Sequence, residues 1–213
     1  MSKETHTLVV GGTKGIGRTI AKTLAEKGHK LSVLGRSSLV KKIELVQDWQ
    51  ADLNHPDEYL KVIDSLITKN GAINHLVFSQ RYRGEDNWNQ EMVVGVVATK
   101  NIIDYLISNG SARESLKTIT VISSIASHYI VDEQNVHYHM AKAALGQLVK
   151  YYAAFLGPRG IRVNSISPGT MVKEESQEFY AQNRGLHELE EKITPLRRMG
   201  TAEDVANVVA FLC

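Results

Sequence analysis

The chain has 213 residues, 43% hydrophobic and 23% charged, with a formal charge of +2 and a single cysteine. Such a length suggests one domain with a sizeable core. The small charge argues against nucleic acid or an anionic membrane as partner, no apolar run approaches a membrane span, and one cysteine excludes an internal disulfide. The polar start Met1-Ser2-Lys3-Glu4-Thr5-His6 lacks a signal-peptide core, so a cytoplasmic location is expected.

The first apolar run, Leu8 to Val10, reads as a buried strand followed by glycines at 11, 12, 15 and 17. Apolar residues at 16, 20, 21, 24 and 25 then mark one helix face, and Gly28 is a natural stop. Strand, glycine turn and helix open a nucleotide-binding α/β unit: glycine lets the backbone approach a ligand, and the new helix offers free N–H groups to a phosphate. The alternative is a tight turn without a ligand.

Lys30 to Leu34 forms the second strand and ends in Gly35-Arg36-Ser37. An acid at this tip would favour NAD through the ribose hydroxyl, whereas an arginine suits the 2′-phosphate of NADP. Here the acidic position is Gly35, Arg36 follows, and Lys14 adds a cation from the glycine turn. NADP(H) is therefore favoured over NAD(H); the alternative is that both cations are merely solvated. A third strand is expected within Ile43 to Trp49. Asp52 could accept from an adenine amino group or cap the strand end.

A helix over 58–69 and a fourth strand, Ile73 to Phe78, precede the polar loop 79–90. The helix over 91–108 is apolar on more than one face, which suggests a subunit contact. Thr118 to Ile122 is a β-branched fifth strand with Ser123-Ser124 at its carboxyl end, where open α/β sheets bind ligands. A long helix carries Tyr138 and Lys142, and Ile161 to Ile166 is a sixth strand. Strands alternating with helices predict a doubly wound parallel sheet with helices on both faces, a three-layer Rossmann-type α/β fold.

Tyr138 and Lys142, four residues apart, share one helix face. An ammonium beside a phenol favours the phenolate, so the pair suits proton exchange with a carbonyl oxygen. Ser124 could donate to that oxygen as charge develops. The spacing alone is common; its order after the glycine turn and the Ser-Ser strand tip gives it meaning.

These pieces resemble the short-chain dehydrogenase/reductase family, of the type that includes 3-oxoacyl-carrier-protein reductases. The match comprises Gly11-x-x-x-Gly15-Ile16-Gly17, Asp52-Leu53, Ser124, Tyr138-x-x-x-Lys142, the run Arg162 to Gly169, and Pro195 to Gly200 with Glu203 to Ala206. The resemblance implies hydride transfer between NAD(P)(H) and a small carbonyl or alcohol. Tyr138 would exchange the proton, Lys142 would hold the nicotinamide ribose, and Ser124 would orient the substrate. The implied cofactor set is Gly11, Thr13, Lys14, Gly15, Ile16, Gly17, Arg36, Ser37, Asp52, Leu53, Ser79, Tyr138, Lys142, Pro168, Gly169 and Met171.

Several positions depart from the family pattern. Phe78-Ser79-Gln80-Arg81 stands where small residues usually approach the cofactor, and Gly95 stands where an asparagine usually completes the catalytic set. These changes leave open an alternative, a cofactor-binding sensor or scaffold with little catalysis. The chain ends at Phe211-Leu212-Cys213 within a helix, so the family's closing strand is absent from this sequence. Residues 170–194 read either as a substrate-covering segment or as a solvated helical excursion. No metal site is expected from the histidine spacing, and the doubly apolar helices point to a homodimer or homotetramer.

Overall fold

The computed structural model describes residues 5–109, 114–172 and 177–213. Six parallel strands form one sheet in the order β3-β2-β1-β4-β5-β6. They are β1 (His6–Val10), β2 (Lys30–Gly35), β3 (Val46–Gln50), β4 (His75–Phe78), β5 (Thr118–Ile122) and β6 (Arg162–Ile166). The helices are α1 (Gly15–Glu26), α2 (Pro56–Asn70), α3 (Trp88–Glu91), α4 (Ala98–Ser108), α5 (Val136–Leu156), α6 (Gln177–Gln182), α7 (Arg184–Ile193) and α8 (Ala202–Leu212). A two-stranded pair, β7 (Met171–Val172) and β8 (Gly200–Thr201), lies outside the main sheet.

Side-chain alternation along the strands builds two cores. Leu8, Val10, Leu76 and Phe78 face one layer with Ile63 and Leu66 of α2, Ile102 and Leu106 of α4, and Leu145 and Val149 of α5. Val9, Val33 and Val77 face the other with Ile20 and Leu24 of α1 and Val205 and Val209 of α8. Both sheet faces are covered, which is why β1 and β5 are buried along their whole length. The expected three-layer fold is thus observed.

Some boundaries differ from the sequence reading. The third strand starts at Val46, because Leu45 adopts φ +63° and turns the chain just before it. The fourth begins at His75, two residues later than expected. The helix expected from residue 91 starts at Trp88, where Asn87 Oδ1 accepts from the Gln90 N–H at 3.1 Å as an N-cap. It then widens into a π-helical segment, Met92–Val97, before continuing as α4. Gln177–Gln182 and Arg184–Ile193 are helical, with a break at Asn183, and α7 buries none of its residues. Thr201 and Asp204 close a capping box at α8, and Arg198 grips Asp204 through two nitrogens at 2.7 and 2.9 Å. That guanidinium, with the Thr201 N–H, holds the Asp204 carboxyl far below the usual carboxylate range.

Strand order reverses between β1 and β4, so the crevice for a ligand opens beyond Val10 and Phe78. Among the described residues no helix is long and apolar enough to cross a membrane.

Candidate active site

A cleft of about 250 Å³ opens at that crevice. One end is backbone. The glycine turn puts Gly11 at φ +79° and Gly15 at φ +52°, conformations that glycine adopts without strain. A Cβ on Gly17 would lie 2.1 Å from the Gly11 carbonyl oxygen, and one on Gly11 would lie 2.5 Å from the Gln80 nitrogen. Both contacts are with main chain, so neither position accepts a side chain without moving the loop. No side chain caps the first turn of α1. Its N–H groups and dipole therefore face the cleft, the arrangement that suits a phosphate.

Thr13, Lys14, Ile16, Gly35, Arg36, Ser37 and Leu53 line this end with Gly11 and Gly17. Cations, hydroxyls and open N–H groups are the donor set that a dinucleotide's phosphates need, and Leu53 adds an apolar wall. The residues present fit such a cofactor.

The other end is built by side chains. Tyr138 lies in the first turn of α5, whose start is capped by Asn135 Oδ1 accepting from the Tyr138 N–H at 2.8 Å. Lys142, one turn on, is only 7% exposed. Its Nζ donates to the Ile122 carbonyl at 3.0 Å and sits 5.5 Å from the centre of the Tyr138 ring. Ser123 Oγ reaches the Lys142 carbonyl at 3.3 Å, joining α5 to the end of β5. Tyr138, Lys142, Ser79 and the glycine turn thus line one cleft.

Other expected residues take different places. Gly15, Ser124, Asp52, Pro168, Gly169 and Met171 do not line this cleft. Ser124 Oγ accepts from the Ala126 N–H at 3.2 Å, capping a short helical turn. Asp52 Oδ1 accepts from the Asn54 backbone at 3.0 Å and its amide at 2.9 Å, which is the strand-end capping use. The Pro168 carbonyl accepts from the Ile125 N–H at 3.0 Å, fastening the loop after β6 to the tip of β5. Gly169 is exposed in that loop. Met171 is buried in the core beside α1 and α8.

Three residues outside the expected set shape the chemical end. Gln80 crosses from the β4 loop to the π segment, its Nε2 donating to Thr99 Oγ1 at 2.8 Å and lying 3.4 Å from the Val94 carbonyl. Thr99 Oγ1 donates in turn to the Gly95 carbonyl at 2.6 Å. Arg81 lays its guanidinium 4.3 Å from the centre of the Tyr138 ring, with Nη2 on Gln134 Oε1 at 2.7 Å. Glu91 is buried nearby at 6% exposure. Burial pushes its carboxyl up, while Arg81, Lys142 and His137 pull it back. In the sequence, the signal for these three is their polarity in positions where small or apolar residues would be expected.

A doubly wound sheet with a phosphate-binding turn at its switch point, and a Tyr-Lys pair in the same cleft, defines a dinucleotide-dependent oxidoreductase architecture. A family model described as enoyl-(acyl carrier protein) reductase matches residues 10–213. The chain belongs to the short-chain dehydrogenase/reductase family. It is 26% identical to rat dehydrogenase/reductase SDR family member 4, covering 97% of this chain and 79% of the relative. It is 28% identical to the 3-oxoacyl-[acyl-carrier-protein] reductase FabG of Aquifex aeolicus, covering 97% and 88%. Among solved structures, ElxO with NADP bound superposes with a TM-score of 0.87 at 21% identity, covering 99% of this chain and 91% of that one. A short-chain dehydrogenase from Leptospira borgpetersenii with bound NAD+ gives 0.84 at 25% identity, covering 99% and 85%. The chain is accordingly an oxidoreductase of the kind that acts on CH–OH and C=O groups.

Proposed function

We propose that this protein transfers hydride between NADP(H) and a small carbonyl or alcohol, with Tyr138 as the general acid/base. The observation that carries the proposal is the convergence of Tyr138 and the buried Lys142 on the cleft that the uncapped α1 turn also faces. When bound, the nicotinamide cofactor supplies or accepts the hydride.

Every other part of the chemistry falls to the chain. In the reducing direction the Tyr138 hydroxyl gives its proton to the substrate oxygen; in the oxidising direction it takes one. Lys142 stands beside the ring, its Nζ 5.5 Å from the ring centre and held in place by the Ile122 carbonyl at 3.0 Å. Ser124 lies outside the cleft lining but adjoins the cleft-lining Ser123, and it is the proposed donor to the substrate oxygen: the bond that its Oγ accepts from the Ala126 N–H does not use its own proton. The α1 turn, Thr13 and Ser37 bind the cofactor's phosphates and ribose.

Arg36 and Lys14 support NADP(H) as the preferred cofactor, since both line the ribose end of the cleft and Gly35 offers no carboxylate there. The similar structures include both NADP- and NAD-bound proteins. The stacked and exposed Tyr151 and Phe155 on α5, 4.4 Å between ring centres, support homo-oligomer formation through that helix.

The test is oxidation of NADPH, and separately of NADH, across ketones, quinones and 3-oxoacyl thioesters. Turnover is expected with NADPH, and Arg36→Leu should lower the NADPH-over-NADH preference by about tenfold, the value of one charge-assisted phosphate contact. Turnover with neither cofactor, or an unaltered preference in the variant, would contradict the reading.

A further inference from the structure

The chemical end of the cleft carries a cation that proton transfer does not use. Arg81 follows Gln80, whose backbone is fixed against Gly11, so the loop delivers the guanidinium to one place. There it stacks on the Tyr138 ring at 4.3 Å, steadied by Gln134 at 2.7 Å. Arg83 lines the same cleft. Neither arginine is in an ion pair with a carboxylate among the described residues. Asp86, an exposed acid of that loop, is engaged by Asn135 Nδ2 at 2.7 Å and His137 Nε2 at 3.4 Å. Glu91, buried beneath the site, feels the Arg81 charge without pairing with it. Arg81 itself is exposed to the cleft.

Any substrate that exchanges a proton with Tyr138 must hold its oxygen within hydrogen-bond reach of that hydroxyl. Its neighbouring atoms then fall beside the guanidinium stacked on the same ring. A guanidinium presents a planar fork of donors matched to a carboxylate, and its pairing is charge-assisted.

We infer that the substrate is an oxo acid, or the corresponding hydroxy acid, whose carboxylate is bound by Arg81 with Arg83 in support. This rests on the oxidoreductase reading above and names its substrate class. In reduction, the carbonyl carbon gains a hydride from the reduced nicotinamide and the oxygen gains the Tyr138 proton. The carboxylate is unchanged, so the anion persists in the product.

The experiment compares kcat/KM for matched pairs, such as acetoacetate and its methyl ester, using NADPH and both wild-type and Arg81→Gln protein. Wild type should favour the acid by tenfold or more, and Arg81→Gln should collapse the acid-to-ester ratio by between about ten- and a hundredfold, with Arg81→Lys restoring part of it. A role in folding or loop placement would lower both substrates together and preserve the ratio, which overturns the inference. So would a wild-type preference for the ester.

A second arm measures binding of the non-reducible carboxylates oxamate, malonate and succinate to the NADPH-loaded protein by calorimetry. At least one should bind, with Kd raised tenfold or more in Arg81→Gln while the Kd of NADPH stays constant. No carboxylate binding, or a loss confined to NADPH, overturns the assignment. If the carboxylate binds as expected and neither member of a pair is reduced, the hydride-transfer reading fails while the anion site stands.

Discussion

The two ends of the cleft are made in different ways. At the cofactor end the main chain dominates: Gly11 against Gln80, Gly17 against the Gly11 carbonyl, and the open first turn of α1. At the chemical end long side chains from four separate stretches meet: Gln80 and Arg81 after β4, Glu91 before the π segment, Gln134 before α5, and Tyr138 and Lys142 on α5. A backbone cradle recognises what all dinucleotides share, whereas a side-chain wall can be changed without disturbing it. The first end should therefore resist substitution, and the second should tolerate it while changing what is bound.

The sharpest break between the two is expected at Gly17. Adding a methyl there, Gly17→Ala, drives a Cβ into the Gly11 carbonyl at 2.1 Å. NADPH affinity should fall about a hundredfold, roughly 3 kcal/mol, because the loop must move to make room. Calorimetry on the folded variant checks this; an unchanged Kd would mean that the turn does not hold the cofactor.

Acid sensitivity should arise at neither end. His75 lies at the amino end of β4, on the opposite edge of the sheet, only 4% exposed, with Nδ1 2.7 Å from Thr118 Oγ1. Burial, then the charges of His29, Lys117 and Arg162, lower it to about 4. The unfolded chain thus binds more protons than the folded one between pH 6.5 and about 4. The stabilisation is complete above pH 6.5 and lost as pH falls toward 4. About 2 kcal/mol should disappear between pH 7 and pH 5, measured by urea unfolding. His75→Gln should flatten that dependence; an equally steep profile in the variant would place the sensitivity elsewhere.

The smallest effect is expected at Gln80. Gln80→Ala removes the 2.8 Å bond to Thr99 and the bridge to Val94. Stability should fall by about 1 to 2 kcal/mol, read as a shifted urea midpoint. Cofactor affinity should stay within a few-fold of wild type, because the backbone contact with Gly11 remains. A large loss of NADPH binding would show that the two ends are not independent.

The same contrast explains what is legible in the sequence. Glycine spacing reports backbone geometry directly, so the first loop and the parallel sheet can be read from pattern and Lys14 and Arg36 from charge, whereas Thr13 and Ser37 enter only through the family resemblance. The helix periodicity likewise places Tyr138 and Lys142 on one face. The π segment cannot be read in this way, since Met92–Val97 is apolar all round and looks like any buried helix. Its hydrogen bonds involve Gln80 and Thr99, and the Gln80 contacts join residues 14 and 19 positions apart. Arg81 over Tyr138 is the same case: the two are distant in sequence, and only the folded sheet brings them together. Asp52 is legible as a polar strand end, but whether such a residue faces a ligand or caps its own backbone depends on loop paths that local pattern does not encode.

The separation of binding from chemistry is tested most directly at one atom, the Tyr138 hydroxyl. Tyr138→Phe keeps the ring on which Arg81 stacks and removes only the proton donor. NADPH affinity and NADPH-dependent turnover should be measured on the same preparation. The expected result is a Kd within about threefold of wild type together with a rate lowered by at least about a hundredfold, the lower bound for losing a general acid. Equal turnover by the two proteins would contradict the account.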